Sequence, residues 1–337
     1  MGVGVEKSTV LIFQQCELKV KPRTKPCPCV HIRRTLLWMP CHARRSATPG
    51  DHLSSARTLI RTSVRVSLAL LALASGARAQ PAAARPVVTI AGSELRSLTS
   101  SSTGRAYDIY VLLPANYAQN GDRRYPVLYV LDGQWDFKLL ASVQGGLLYD
   151  KVVPEMIIVG ITYSGASPNY DILRAFDLTT VEVPGNPGSG GAPKFLNFLA
   201  NELLPFVDAN YRADPRSRVL AGSSLGGLFT LYTLFTRPGL FTGYVASSPA
   251  VTSANRGAFD FERAFALSHK SLPGRVFISV GELEPLAQPV REFIDVLASR
   301  EYTGLDMETR VIGGERHSGN KPESYNRGLR YVFGGSP

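Results

Sequence analysis

The stretch RVLAGSSLGGLF, residues 218–229, passes from one apolar run to another through Gly222, Ser223, Ser224, Gly226 and Gly227. Residues 222–226 fit G-x-S-x-G with Ser224 at the nucleophile position. The chemistry asks for small neighbours, because a nucleophilic serine sits in a strained turn between a strand and a helix. Side chains two residues to either side would collide there. Gly227 extends the close packing of helix on strand, and Ser223 reads as a filler at a tolerant position. A helix opening at Leu225 puts that residue's N–H at the positive helix end, where it can serve a developing oxyanion.

The fold follows from the segments on either side. YPVLYVLDG (125–133) and EMIIVGITY (155–163) are nearly continuous apolar runs, as expected of strands buried on both faces. YDIYVLLP (107–114) alternates and ends in proline, which suits an early antiparallel strand. RVLAG (218–222), GYVASSP (243–249), RVFISVGE (275–282) and METRVIGG (307–314) continue the series. Between them, residues 193–211 place Phe195, Leu196, Leu199, Leu203, Leu204 and Val207 on one helical face. The 225–239 segment is apolar enough for a buried central helix, and 287–301 and 321–333 are amphipathic. This alternation predicts an α/β protein with a mostly parallel central sheet and helices on both faces. The Gly- and Pro-rich connection 164–192 is too long for a routine turn and is expected to overhang the site.

A serine nucleophile needs a base, and beyond residue 79 the chain offers only His269 and His317. His269, in ALSHKSLPG, reads as a solvated surface residue. His317, in VIGGERHSGN, follows the last predicted strand, where the base belongs in the order nucleophile, acid, base. The acid belongs in SVGELEP (279–285). Glu284 is favoured for lying further from the strand end, with Glu282 as the alternative. The second oxyanion donor is expected after VLYVLDG, from the N–H of Gln134 or, alternatively, Gly133. Trp135 and Phe137 are candidates for walling the substrate pocket.

Charge narrows the partners. The sequence has a net charge of +10, which by itself suggests nucleic acid. The excess is wholly N-terminal: residues 1–79 carry 13 Lys+Arg against 3 Asp+Glu, and the remainder carries 24 of each sign. Nucleic acid is therefore not expected as a partner. Arg57, Arg61 and Arg65, then VSLALLALA (66–74), then Ala77-Arg78-Ala79 form an export signal with cleavage expected after Ala79. A nine-residue run is too short to span a bilayer that needs about 20, so no stable membrane anchor is expected after cleavage.

The domain reading is an upstream extension over 1–56 without a domain of its own, a signal peptide over 57–79 and a single catalytic domain over 80–337. Because 79 residues is long for a signal, translation is expected to start later, at Met39 or between Leu59 and Val64. The expected location is periplasmic or secreted. Cys16, Cys27, Cys29 and Cys41 all precede the cleavage site. The exported part thus has no thiol, and no metal or cofactor is expected.

These motifs, together with RAFDLTT, GGAPKFLNFLANELLPFVDANYRADP and SSPA, resemble the putative-esterase branch of the α/β-hydrolases over about residues 90–335. That branch includes siderophore esterases of the enterobactin type and feruloyl esterases. The resemblance implies the α/β-hydrolase fold and cofactor-independent hydrolysis of a small-molecule ester by Ser224, His317 and an acid. Arg174 and Asp177 match a recurring Arg…Asp-Leu-Thr element near the site, with a substrate-binding or a loop-fixing role. Ser223 stands where a bulkier residue such as His is common, and Thr180 where a proline often follows. The alternatives are an acyltransferase using the same residues and a non-catalytic binding protein of the same fold. The particular ester and the oligomeric state are not legible in the sequence.

Overall fold

The computed structural model describes residues 88–334, so the expectations for the 1–56 extension and the 57–79 signal lie outside the described residues. Eight strands form one sheet in the order β1-β2-β4-β3-β5-β6-β7-β8. They are β1 (Ser93–Thr99), β2 (Ala106–Leu112), β3 (Tyr125–Val130), β4 (Ile157–Tyr163), β5 (Ala213–Ser223), β6 (Gly243–Ser247), β7 (Ser271–Gly281) and β8 (Thr303–Ile312). β1 pairs antiparallel with β2 and β2 with β4; every later pairing is parallel.

The apolar runs land where their two-sided composition requires, with every residue of β4 buried. Leu128 and Val130 of β3 face one core, packed by α1 (Gly133–Tyr149) and α8 (Lys321–Phe333). Tyr129 faces the opposite core, filled from α2 (Tyr170–Leu178), α3 (Ala192–Phe198), α4 (Leu204–Asn210), α5 (Leu225–Thr236), α6 (Ser253–Ala266) and α7 (Ala287–Arg300). The expected helix over 193–211 is α3 and α4 joined by a π turn, Leu199–Leu203. Pro205, in the first turn of α4, lacks the N–H that would continue the regular ladder. All six of its predicted apolar residues are nonetheless buried.

Sequence periodicity does not mark β1, α1, α2 or α6. β1 is an exposed edge strand carrying Glu94 and Arg96, so it lacks a buried face to betray it. The connection 164–192 holds α2, which reaches back to the loop after β3.

The strand order reverses direction at β3, which lies between β4 and β5. Parallel sheets open a crevice at such a reversal, beyond the carboxyl ends of the strands. Here those ends carry the Asp132–Gln134 loop and the G-x-S-x-G turn, held side by side by a bond from Leu131 N–H to Ala221 C=O, 2.9 Å.

Candidate active site

Ser224 joins β5 to α5 with φ 59° and ψ −118°, a conformation seldom adopted by a residue with a side chain. Holding it costs on the order of 1–3 kcal/mol, which the surroundings must offset. Three backbone bonds do so. Ser224 N–H donates to Ser247 C=O (3.0 Å), and Ser224 C=O accepts from Leu228 N–H (2.9 Å) and Ala250 N–H (3.0 Å). The glycines are required by contact. A Cβ on Gly222 would lie 2.5 Å from the carbonyl carbon of Gly226, and one on Gly227 would lie 2.9 Å from Pro249 Cα. Ser224 is half-buried, whereas Ser223 is buried and its hydroxyl has no hydrogen-bond partner.

The acid and base expected from the sequence meet. His317, on the β8–α8 loop, is bonded through Nδ1 to Glu284 Oε2 on the β7–α7 loop. Glu284 is buried, while the imidazole keeps 39% of its surface exposed. Oε1 of Glu284 accepts from Gly281 N–H (2.6 Å), Ser248 Oγ (2.5 Å) and Asn320 Nδ2 (3.3 Å). Burial pushes the Glu284 carboxyl up, but the bonds from His317, Ser248 and Gly281 outweigh it and hold the group below its ordinary value. An ionised carboxylate only accepts, so Nδ1 must carry the proton and Nε2 is left as the acceptor. Glu282 is exposed and accepts instead from Gly314 N–H at 2.7 Å. His269 stacks on Phe265 with centroids 4.2 Å apart.

Two helix starts converge beside Ser224. At α1, Asp132 adopts the left-handed conformation (φ 56°), and its carbonyl takes the Trp135 and Asp136 N–H groups at 2.9 and 3.1 Å. Gly133 and Gln134 then bear the first-turn N–H groups that a helix cannot pair internally, as Leu225 does at α5. Gly133 is a glycine because β4 lies against it, a Cβ there falling 2.9 Å from Gly160 C. Gln134 is half-buried, and its Oε1 accepts from Thr162 Oγ1 at 2.8 Å.

Arg174 and Asp177 serve separate contacts. Arg174 grips Asp132 with Nε at 2.5 Å and Nη2 at 2.9 Å, and its guanidinium lies 5.1 Å from the Trp135 ring centroid. Burial pushes the Asp132 carboxyl up, against the pull of Arg174. Asp177 is fully buried, with its oxygens taken by Arg105 (2.6 Å) and Tyr107 (2.7 Å), so it faces core and not solvent. Trp135 is 40% exposed and meets Tyr170 edge-on, whereas Phe137 is buried in the core against Gly160.

Asp132, Ser248, Asn320 and the Asp136–Lys321–Tyr325 cluster escape sequence reasoning. Asp136 accepts from Lys321 Nζ at 2.8 Å and from Tyr325 Oη at 2.5 Å, tying α1 to α8 and so the Asp132–Gln134 loop to the His317 loop. Only the LDG and SSPA motifs carried a signal for any of these residues.

Residues 100–323 match the family model described as "Putative esterase". The chain belongs to this esterase family. It is a carboxylic ester hydrolase of the α/β-hydrolase fold. It is 30% identical to the ferri-bacillibactin esterase BesA of Bacillus subtilis over 264 residues, covering 73% of this chain and 91% of that protein. It is 31% identical to the siderophore triacetylfusarinine C esterase of Aspergillus fumigatus over 225 residues, 60% of this chain and 73% of that one. Among solved structures, the BES protein from Bacillus cereus aligns with TM-score 0.67 at 28% identity, over 75% of this chain and 99% of that one. The siderophore hydrolase EstB of Aspergillus nidulans aligns with TM-score 0.64 at 26% identity, over 74% and 98% of the two chains.

Proposed function

We propose that this esterase is exported and cleaves its substrate through an acyl-enzyme on Ser224, with His317 as base and Glu284 as the acid that orients it. The observation that carries this reading is the His317–Glu284 pair, set at the same end of the sheet as a serine held at positive φ. Ser224 Oγ attacks the ester carbonyl while His317 Nε2 takes its proton, and Glu284 steadies the imidazolium. The oxyanion forms at the N–H groups of Leu225 and Gln134, each at the positive start of a helix. Collapse expels the alcohol, protonated by His317. Water, deprotonated by the same imidazole, then releases the acid and regenerates Ser224.

The substrate class favoured is a siderophore-type ester, supported by the activities named for the relatives, with feruloyl-type esters second. Export is supported by the signal-like residues 57–79. The test is p-nitrophenyl ester turnover by wild type and Ser224→Ala, with and without an added acceptor alcohol, followed by a panel of trilactone and feruloyl esters. Turnover is expected to vanish in Ser224→Ala, with water as the dominant acceptor in wild type. Turnover surviving in Ser224→Ala rejects the mechanism. Acyl transfer to the alcohol exceeding hydrolysis makes the protein an acyltransferase.

A further inference from the structure

Asn320 immediately precedes α8, where an asparagine ordinarily caps the helix by accepting from a first-turn N–H. Here the side chain makes no such bond. It is fully buried and turned into the site. Its Nδ2 lies 2.8 Å from His317 C=O, 3.1 Å from Arg316 C=O, 2.9 Å from Ser248 Oγ and 3.3 Å from Glu284 Oε1. Its Oδ1 accepts from Ser247 Oγ at 3.0 Å, and Ser247 C=O is the acceptor for Ser224 N–H. One amide therefore touches the acid, the backbone of the base and the residue that holds the serine's backbone.

We infer that Asn320 is a positioning residue for the ester-cleaving site, fixing the His317 loop to β6 and reserving Glu284 Oε2 for the imidazole. This inference rests on the assignment of Ser224, His317 and Glu284 made above. The mechanism is a matter of donor count. Gly281 N–H and Ser248 Oγ direct hydrogens at Oε1, and Asn320 shares its two amide hydrogens among Oε1, Ser248 Oγ and the two loop carbonyls, so the carboxylate cannot rotate without stranding buried donors. Asn320 also bonds the carbonyl of His317, so the imidazole is placed from its backbone as well as from its ring. The charged groups around this amide are Glu284 from the β7–α7 loop, Glu315 and His317 from its own loop, and Lys321, which is paired to Asp136 of α1; Arg316 contributes only its carbonyl.

The experiment uses the full chain with Asn320→Ala and the near-isosteric Asn320→Asp. For each, kcat and KM for a p-nitrophenyl ester are measured across pH, beside thermal melting and the rate of fluorophosphonate labelling at Ser224. Asn320→Ala is expected to lower kcat and the labelling rate by about 10- to 100-fold, the scale of one lost hydrogen bond to a charged group. KM should stay within about threefold, because the amide does not contact substrate. Asn320→Asp puts an oxygen where the amide nitrogen meets the Arg316 and His317 carbonyls and Glu284 Oε1, so the buried carboxyl keeps its proton and supplies one hydrogen where the amide supplied two. Its kcat should fall by less than that of Asn320→Ala, with the acid limb of kcat/KM within about half a pH unit of wild type.

Folded variants whose kcat and labelling rate match wild type overturn the inference and leave the Ser224 assignment standing. So does a loss of kcat that only tracks the unfolded fraction, or one expressed in KM alone. If either variant fails to fold, the other decides by the same criteria, and failure of both to fold assigns Asn320 a structural role and overturns the inference. Wild-type enzyme that turns over ester without labelling at Ser224 overturns the triad assignment and this inference together.

Discussion

Replacing Glu284 with glutamine changes one oxygen to an NH2, and the structure dictates which way that amide must face. The Oε1 position receives the fixed backbone N–H of Gly281 at 2.6 Å, together with Ser248 and Asn320. An NH2 cannot sit 2.6 Å from that fixed N–H, so the amide oxygen takes that position and the NH2 faces His317. Nδ1 then has to accept instead of donate, which moves the imidazole proton to Nε2. In that tautomer the base cannot take the proton of Ser224. A triad forced into the wrong tautomer loses about 10³- to 10⁴-fold in kcat, or about 4–5.5 kcal/mol of barrier. Glu282→Gln is the matched control. Its single recorded bond, from Gly314 N–H, can still be accepted by an amide oxygen, so kcat should stay within about threefold. The assay is steady-state p-nitrophenyl ester hydrolysis at neutral pH, with circular dichroism to show that both variants fold. Glu284→Gln retaining more than about a tenth of wild-type kcat, or Glu282→Gln falling as far as Glu284→Gln, refutes the reasoning.

Two further outcomes follow from the same geometry. Ser223→Ala removes a buried hydroxyl that has no partner, so activity should persist and the melting temperature should hold or rise by up to about 3 °C; a fall of that size would show the hydroxyl to be bonded. Glu284 titrates below its ordinary value in the folded state, so its contribution to stability is present above the unfolded carboxyl pKa near 4.3 and is lost as pH falls through the lower folded value. Melting temperatures from pH 7 to pH 3 should therefore fall less steeply for Glu284→Gln than for wild type, and parallel curves would contradict that linkage.

The parallel core of the sheet was legible because strands buried on both faces must be apolar throughout, as β3 and β4 are. The serine turn was legible because contact distances there exclude side chains. β1 was not, since an exposed edge strand carries no periodic apolar face, and α1 was not, since Gly133, Gly145 and Gly146 dilute its pattern. Glu282 and Glu284 could be ranked only by position, because both lie in one short loop. What separates them is a tertiary fact: Glu284 turns inward to Ser248, Gly281 and His317, while Glu282 stays at the surface. Asn320 carries no signal in the sequence, and only the packing of the β8–α8 loop against β6 and β7 turns its amide toward Glu284. Arg174 and Asp177, three residues apart on α2, suggest a single element, yet one side chain bonds Asp132 and the other Arg105 and Tyr107.

The most direct measurement is peptide-level mass spectrometry of the full chain after reaction with a fluorophosphonate, in parallel with loss of esterase activity. The account predicts one adduct per chain, on Ser224 and not on Ser223, formed in step with inactivation. An adduct at any other residue, or complete inactivation with Ser224 unmodified, would contradict it.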